Sequence, residues 1–166
     1  MKIIIISDIH DNWANLDRFM MQVRDEKNLK TVICCGDVCA PATLKKLAEG
    51  LPDKKIYLVY GNVDGDHEMD EKFAGDTGNV EIMGEVGELT LGGKKIAFTH
   101  KPDKAKELAK TGKYNVVFYG HTHKPWEEKI GKTILLNPGE LTYFFYTPTY
   151  AIYDLSKMKA KLKLLK

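Results

Sequence analysis

The hydrophobic pattern changes period along the chain, and several apolar runs stop at a residue able to bind an ion. Lys2 to Ser7 is a continuous apolar run between polar flanks, the pattern of a strand buried on both faces in a parallel sheet. Asn12 can cap a helix in which Trp13, Leu16, Phe19, Met20 and Val23 recur at helical spacing, while Asp17, Arg18, Arg24 and Asp25 face water. Thr31 to Cys35 predicts a second strand. Pro41 opens a short helix through Glu49 at a position where its missing N–H costs nothing, and Lys55 to Tyr60 predicts a third strand. Strands alternating with helices imply right-handed crossovers and a parallel sheet.

From Asn79 to Thr99 the pattern turns to short strands punctuated by Gly84, Gly87 and the pair Gly92-Gly93, where Leu91-Gly-Gly-Lys94 predicts a tight hairpin turn. Ile96 to Thr99 is a strand, and Pro102 to Lys110 with Gly112 behind it has both helix termini marked. Val116 to Tyr119 and Thr133 to Leu136 follow as strands, and Thr149 to Asp154 with Met158 to Leu164 closes the chain as a hairpin. In that last strand Lys159, Lys161 and Lys163 alternate with apolar residues. The lysines predict a solvated face that discourages edge pairing.

Composition narrows the class. At 166 residues the chain fits one domain, residues 1–166, able to bury roughly two-thirds of the surface its unfolded form exposes. Apolar residues at 43% and charged residues at 29% exclude a disordered chain. A net charge of +2 without a basic stripe argues against long nucleic acid as a partner. No run of eighteen apolar residues occurs, and Ile3–Ile6 passes directly into Ser7-Asp8. Neither a membrane span nor a signal peptide is expected, and the location expected is cytoplasmic. Cys34, Cys35 and Cys39 are odd in number and clustered, which suits reduced thiols. The first two are expected in the core, and Cys39 near the site without being a ligand.

The chemistry gathers at strand ends. Of five histidines, His10, His100, His121 and His123 lie just past predicted strands, as do Asp8, Asp37 and Asn62. In open α/β sheets ligands bind beyond the carboxyl ends of strands, where loops converge. His121 and His123 point to one side if the backbone between them is extended, and Gly120 permits the turn that aims them over the sheet. Such a ligand set is too large for one tetrahedral ion and suits two ions sharing a bridging carboxylate.

The motifs Asp8-Ile9-His10, Gly36-Asp37, Gly61-Asn62-Val63-Asp64, Thr99-His100 and Gly120-His121-Thr122-His123 occur in this order over nearly the whole chain. In this the sequence resembles the calcineurin-like metallophosphoesterase superfamily. Its length and Asn137-Pro138-Gly139 are similar to the small prokaryotic phosphodiesterase branch, which shares its fold with the retromer scaffold subunit. The resemblance implies an α/β fold: a two-sheet α/β/β/α sandwich of mixed strands with outer helices. It implies two divalent metal ions, with manganese heading the candidates and iron, zinc, nickel and magnesium behind it. Asp8, His10, Asp37 and His123 would surround one ion and Asp37, Asn62, His100 and His121 the other, and Asp37, Asn62 and Asp64 would be the catalytic residues. The implied reaction is hydrolysis of a small phosphodiester by metal-activated hydroxide. Phosphomonoesterase or nuclease activity at the same site, and a non-catalytic scaffold, are the alternatives.

Two departures stand out. Many relatives carry a histidine after Gly-Asn that is taken to stabilise the transition state or protonate the leaving group, and this chain has Val63. Lys101-Pro102 follows His100 where relatives have Gly-His, which places a cation or a solvated side chain there. His67 lies outside every motif and is expected at the surface. In the run Tyr143-Phe144-Phe145-Tyr146, alternation would bury two rings in a sheet; a subunit interface, making a homo-oligomer, or a platform for the base of a nucleotide-like substrate are the other uses.

Overall fold

The computed structural model describes residues 1–166. β1 (Lys2–Ile6), β2 (Thr31–Cys34), β3 (Lys55–Leu58) and β4 (Val80–Ile82) run parallel, connected through α1 (Trp13–Val23), α2 (Pro41–Gly50) and α3 (His67–Thr77). After them come β5 (Val86–Leu91), β6 (Lys94–Thr99), α4 (Pro102–Lys110), β7 (Val116–Phe118), β8 (Trp126–Ile130) and β9 (Thr133–Asn137). The closing hairpin of β10 (Thr149–Asp154) and β11 (Lys159–Leu164) returns to the first sheet, giving the order β11-β10-β1-β2-β3-β4. The second sheet has the order β5-β6-β7-β9-β8, in which β6, β7 and β9 are parallel.

The period-two alternation of the buried strands decides the layering. Ile4 and Ile6 of β1 pack with Leu16 and Phe19 of α1 and Leu44 and Leu47 of α2. Ile3 and Ile5 point the other way and meet Ile96, Phe98, Val116 and Phe118 of the second sheet. Ala97 and Val117, on the far face of that sheet, receive Ala105 and Ala109 of α4. The result is the expected α/β/β/α sandwich of mixed strands. Each fully buried isoleucine contributes about 1.5–3 kcal/mol of transfer free energy. The apolar layers therefore hold the strands independently of anything bound at their ends.

Local signals explain the helix starts. Asn12 accepts the Asn15 N–H at 3.0 Å and caps α1. α2 begins at Pro41 without a side-chain cap of its own, and Asp11 reaches it from the loop between β1 and α1, accepting the Ala40 N–H at 3.0 Å.

Several elements depart from expectation. α3 was not anticipated because it buries only Asp70 and Ala74 and has no apolar stripe, although Asp66 caps it and Gly78 ends it at φ 71°. β8 is an edge strand carrying Glu127, Glu128 and Lys129, so alternation is absent there too. β11 is the edge strand its lysines predicted, yet Leu162 and Leu164 are exposed with them. The four aromatics from Tyr143 to Tyr146 lie in no strand, and none is buried. Glycine 139 and the turns that follow take this segment out of the sheet before alternation can act.

Tyr153 sits between the sheets, fully buried, with its ring edge-on to Phe118 at 5.2 Å and its hydroxyl without a hydrogen-bond partner. An unsatisfied buried hydroxyl opposes folding by about 1–3 kcal/mol. Tyr153→Phe is expected to unfold at equal or higher denaturant concentration, with a gain of about 1 kcal/mol in urea titration. A marked loss of stability would show that the hydroxyl is satisfied.

Candidate metal centre

Every expected ligand lies just beyond the carboxyl end of a parallel strand. Asp8 and His10 follow β1, Asp37 follows β2, Asn62 follows β3, His100 follows β6, and His121 and His123 follow β7. The loops reach the cleft through strained backbone: Asp8, His10, Asp37, His121 and His123 have φ of 55°, 46°, 56°, 67° and 61°. Left-handed backbone at a non-glycine residue costs about 1–3 kcal/mol and persists only where surrounding structure enforces it. His121 and His123 are therefore not joined by the extended backbone expected, and their rings diverge. Close approach adds its own demand. A Cβ on Gly61 would lie 2.0 Å from Asp37 Oδ1 and 2.5 Å from the Asp37 backbone nitrogen, so only glycine lets these two loops touch.

The side chains form two groups. In the first, Asp8 Oδ1 lies 3.4 Å from His123 Nε2 and 3.8 Å from His10 Nε2. In the second, His100 Nε2 lies 3.2 Å from Asp37 Oδ2, 3.0 Å from Asn62 Oδ1 and 3.1 Å from His121 Nδ1. Asp37 Oδ2 is also 3.5 Å from His10 Nε2, so this one oxygen stands between the groups. Asp8 is aimed by the His121 N–H, which it accepts at 3.1 and 3.2 Å.

Hydrogen bonds on the far side of the rings decide what faces inward. His100 Nδ1–H donates to the Cys35 carbonyl at 2.8 Å, and His123 Nδ1–H donates to Glu140 Oε2. Each Nε2 then presents a lone pair to the cleft. Asn62 turns its carbonyl oxygen to two imidazole nitrogens, and His10 Nε2 is buried without a partner. Ring nitrogens, carboxylate oxygens and an amide oxygen converge here, a donor set that fits a divalent cation.

The ring nitrogens of the site do not all shift in one direction. Burial works to lower the pKa of His10, but Asp8 and Asp37 outweigh it and leave the value above that of an ordinary imidazole. Burial likewise opposes charge on His100, and its bond to Asp37 more than compensates. Burial pushes Asp37 up, and His100 draws it below the usual carboxylate value. His121 is held down by burial and then by the charge of His100. Positive charge is favoured on His10 and His100, which face Asp8 and Asp37, and disfavoured on His121.

Over residues 1–158 the chain matches the calcineurin-like phosphoesterase superfamily domain. It is 34% identical over 160 residues to phosphodiesterase MJ0936 of Methanocaldococcus jannaschii, covering 95% of each chain. It is 26% identical over 154 residues to phosphodiesterase YfcE of Escherichia coli, covering 86% of this chain and 80% of the relative. The solved structure of an archaeal phosphodiesterase superposes with a TM-score of 0.89 at 30% identity, over 99% of this chain and all of the other. The chain belongs to the calcineurin-like phosphoesterase superfamily. It is a hydrolase of the small prokaryotic branch of that family.

Other side chains of this phosphoesterase take supporting places. Asp64, expected among the catalytic residues, is buried and accepts the N–H groups of Asp37 at 2.9 Å, Gly61 at 2.7 Å and Cys39 at 2.7 Å. It staples the loops after β2 and β3, and its oxygens are occupied away from the cleft. Cys39 Sγ lies 3.5 Å from His10 Nδ1, and burial followed by the neighbouring carboxylates pushes its thiol up to about 12. It is near the centre as expected and stays protonated. Lys101 and Lys104 line a cavity of about 560 Å³ beside Asn62 and His100. His67 is exposed but ordered, stacked on Tyr60 at 3.7 Å with its Nε2–H donated to the Asp64 carbonyl at 2.9 Å.

Glu140 is the residue that sequence patterning missed. It is fully buried, accepts the His123 ring proton, and takes backbone N–H bonds from Phe145 at 2.8 Å and Tyr146 at 2.6 Å. Such outer partners orient metal-binding imidazoles, and their loss lowers affinity about 10–100-fold. Glu140→Ala is expected to weaken metal binding by about that factor and to cost about 3 kcal/mol of stability, since a buried charge-assisted hydrogen bond contributes about 1.5–3 kcal/mol. Metal titration and denaturant unfolding of the same variant measure both. Unchanged affinity would remove Glu140 from the site.

Proposed function

We propose that this phosphoesterase depends on two divalent ions and cleaves phosphate diesters. Asp8, His10, Asp37 and His123 would hold one ion, Asp37, Asn62, His100 and His121 the other, with Asp37 shared. The observation that carries this is the meeting of two groups of metal-ligating side chains at a single oxygen, Asp37 Oδ2. The diester preference is supported by the names of the two curated relatives. Ions in such a pair supply Lewis acidity toward a phosphate oxygen and lower the pKa of water to about 7.

The chain's own residues supply position and proton placement. Glu140 and the Cys35 carbonyl fix His123 and His100 in the tautomers that leave Nε2 free. The His121 N–H aims Asp8, and Asp64 holds the loops of Asp37 and Asn62 together. Two divalent ions against Asp8 and Asp37 leave the centre net positive, which draws an anionic ester and repels a cationic one.

Removal of metal by chelation is expected to abolish hydrolysis of an aryl phosphodiester, and manganese to restore it. His123→Ala should keep the fold by circular dichroism, bind less metal by elemental analysis, and lose activity by at least a hundredfold, since it removes a direct ligand. Activity that persists in the fully chelated protein would refute metal dependence. An aryl monoester measured beside the diester reads the preference between them.

Proton supply to the leaving group is the weak point of this centre. Val63 occupies the position after Asn62 and is exposed. His67, the one imidazole outside the ligand set, commits its Nε2 proton to the Asp64 carbonyl. The Cys39 thiol, held near 12, is a poor acid at neutral pH. Diesters that expel a nitrophenolate are expected to turn over well, and those that expel an alkoxide at least about a hundredfold more slowly, the typical contribution of a placed general acid. Comparable kcat for both leaving groups would require a proton donor here.

A further inference from the structure

Beside the metal groups, four consecutive rings stand in water. Tyr143, Phe144, Phe145 and Tyr146 are 69%, 61%, 73% and 41% exposed. Aromatic side chains contribute most when buried, so a folded chain forgoes stabilisation by leaving these outside. The loop is nevertheless held to one shape from beneath. Glu140 accepts N–H bonds from Phe144 at 3.3 Å, Phe145 at 2.8 Å and Tyr146 at 2.6 Å. A fully buried carboxylate, and not burial of the rings, sets the conformation.

The rings that this anchor presents touch the ligands. Phe144 lies 5.0 Å from the His10 ring and 6.2 Å from that of His123, and Phe145 meets His123 edge-on at 5.0 Å. Both imidazoles belong to the group around Asp8. A second copy of the chain docked on this loop would cover those ligands and close the centre. A ring attached to a phosphate held by the ions would lie against the loop while leaving the centre open. Stacking on such side chains is tolerant of ring identity, because every aromatic ring has a π-face.

We propose that the loop Tyr143–Tyr146 is the subsite for a planar aromatic ring carried by the phosphate ester, with Phe144 and Phe145 as its stacking surfaces. Glu140 positions the loop against His123. The assignment rests on the phosphoesterase reading above, because the phosphate is what brings the ring to the loop. The ring is either an aryl group attached directly through the ester oxygen or the base of a nucleoside.

The test measures binding without bond cleavage. The full manganese-loaded chain is titrated by calorimetry with methylphosphonate, phenylphosphonate and the 5′-methylenephosphonate analogue of thymidine. At least one aromatic ligand is expected to bind about tenfold or more tightly than methylphosphonate. Phe144→Ala and Phe145→Ala should remove that advantage and leave methylphosphonate unchanged; both side chains are largely exposed, so the fold is retained. The ligand that shows the advantage identifies the ring as aryl or base. Three results overturn the subsite: no advantage in the parent protein, equal weakening of all ligands, or a parent dimer that the substitutions dissociate without altering ligand binding. A chain that cleaves no diester but shows the ring advantage keeps the subsite and loses the catalytic reading.

Discussion

Everything at the cleft follows from a convergence of two carboxylates, an amide oxygen and four imidazoles in a space where few of them can reach water. Asp8, Asp37, Asn62 and four imidazoles direct oxygen and nitrogen atoms at two centres, and the outward ring protons of His100 and His123 are committed to Cys35 and Glu140. Assembling such a set costs desolvation and mutual repulsion, and several of its residues also occupy left-handed backbone. The chain can hold this only because its stability is generated elsewhere, in apolar layers that end where the ligands begin.

That separation explains the architecture. Parallel strands of the two facing sheets deliver their carboxyl ends to the same edge, so short loops from five strands converge without any helix or strand being distorted. Gly61 and Gly120 mark the seam between core and site. A Cβ at Gly120 would fall 1.9 Å from Ser7 Oγ, and one at Gly61 would collide with the backbone of Asp37. The loops are packed against each other as tightly as the core, and the ligands gain their fixed positions from that packing.

This division also explains what was legible in the sequence. The core strands and α1 are written in apolar period, α2 and α4 are marked by their prolines and by Gly112, and each expected ligand sits where a period breaks, often after a glycine; the layers and the gathering of these side chains at one edge were therefore readable. α3 and β8 are rich in charged residues and bury few apolar ones, so no period marks them. The left-handed turn at His121 and His123 was hidden because a spacing of two fits an extended segment as well as a kinked one. Asp64 looked catalytic by position, and only the direction of three backbone N–H groups reveals it as a brace.

Glu140 was the hardest residue to foresee, since a lone acidic residue after Asn137-Pro138-Gly139 reads as a solvated loop carboxylate. Its burial makes sense only when both sides of it are considered together. On one side it carries the proton-donating nitrogen of His123, and on the other it fixes the N–H groups of Phe144, Phe145 and Tyr146. A carboxylate so placed cannot shift toward one set of partners without loosening the other, because a buried charge must keep its hydrogen bonds satisfied. The orientation of the His123 imidazole and the shape of the exposed aromatic loop are thus set by the same side chain. A ligand that reaches from His123 to the rings meets two surfaces already held in fixed relation, and the ordering of that loop is met in folding and not in binding.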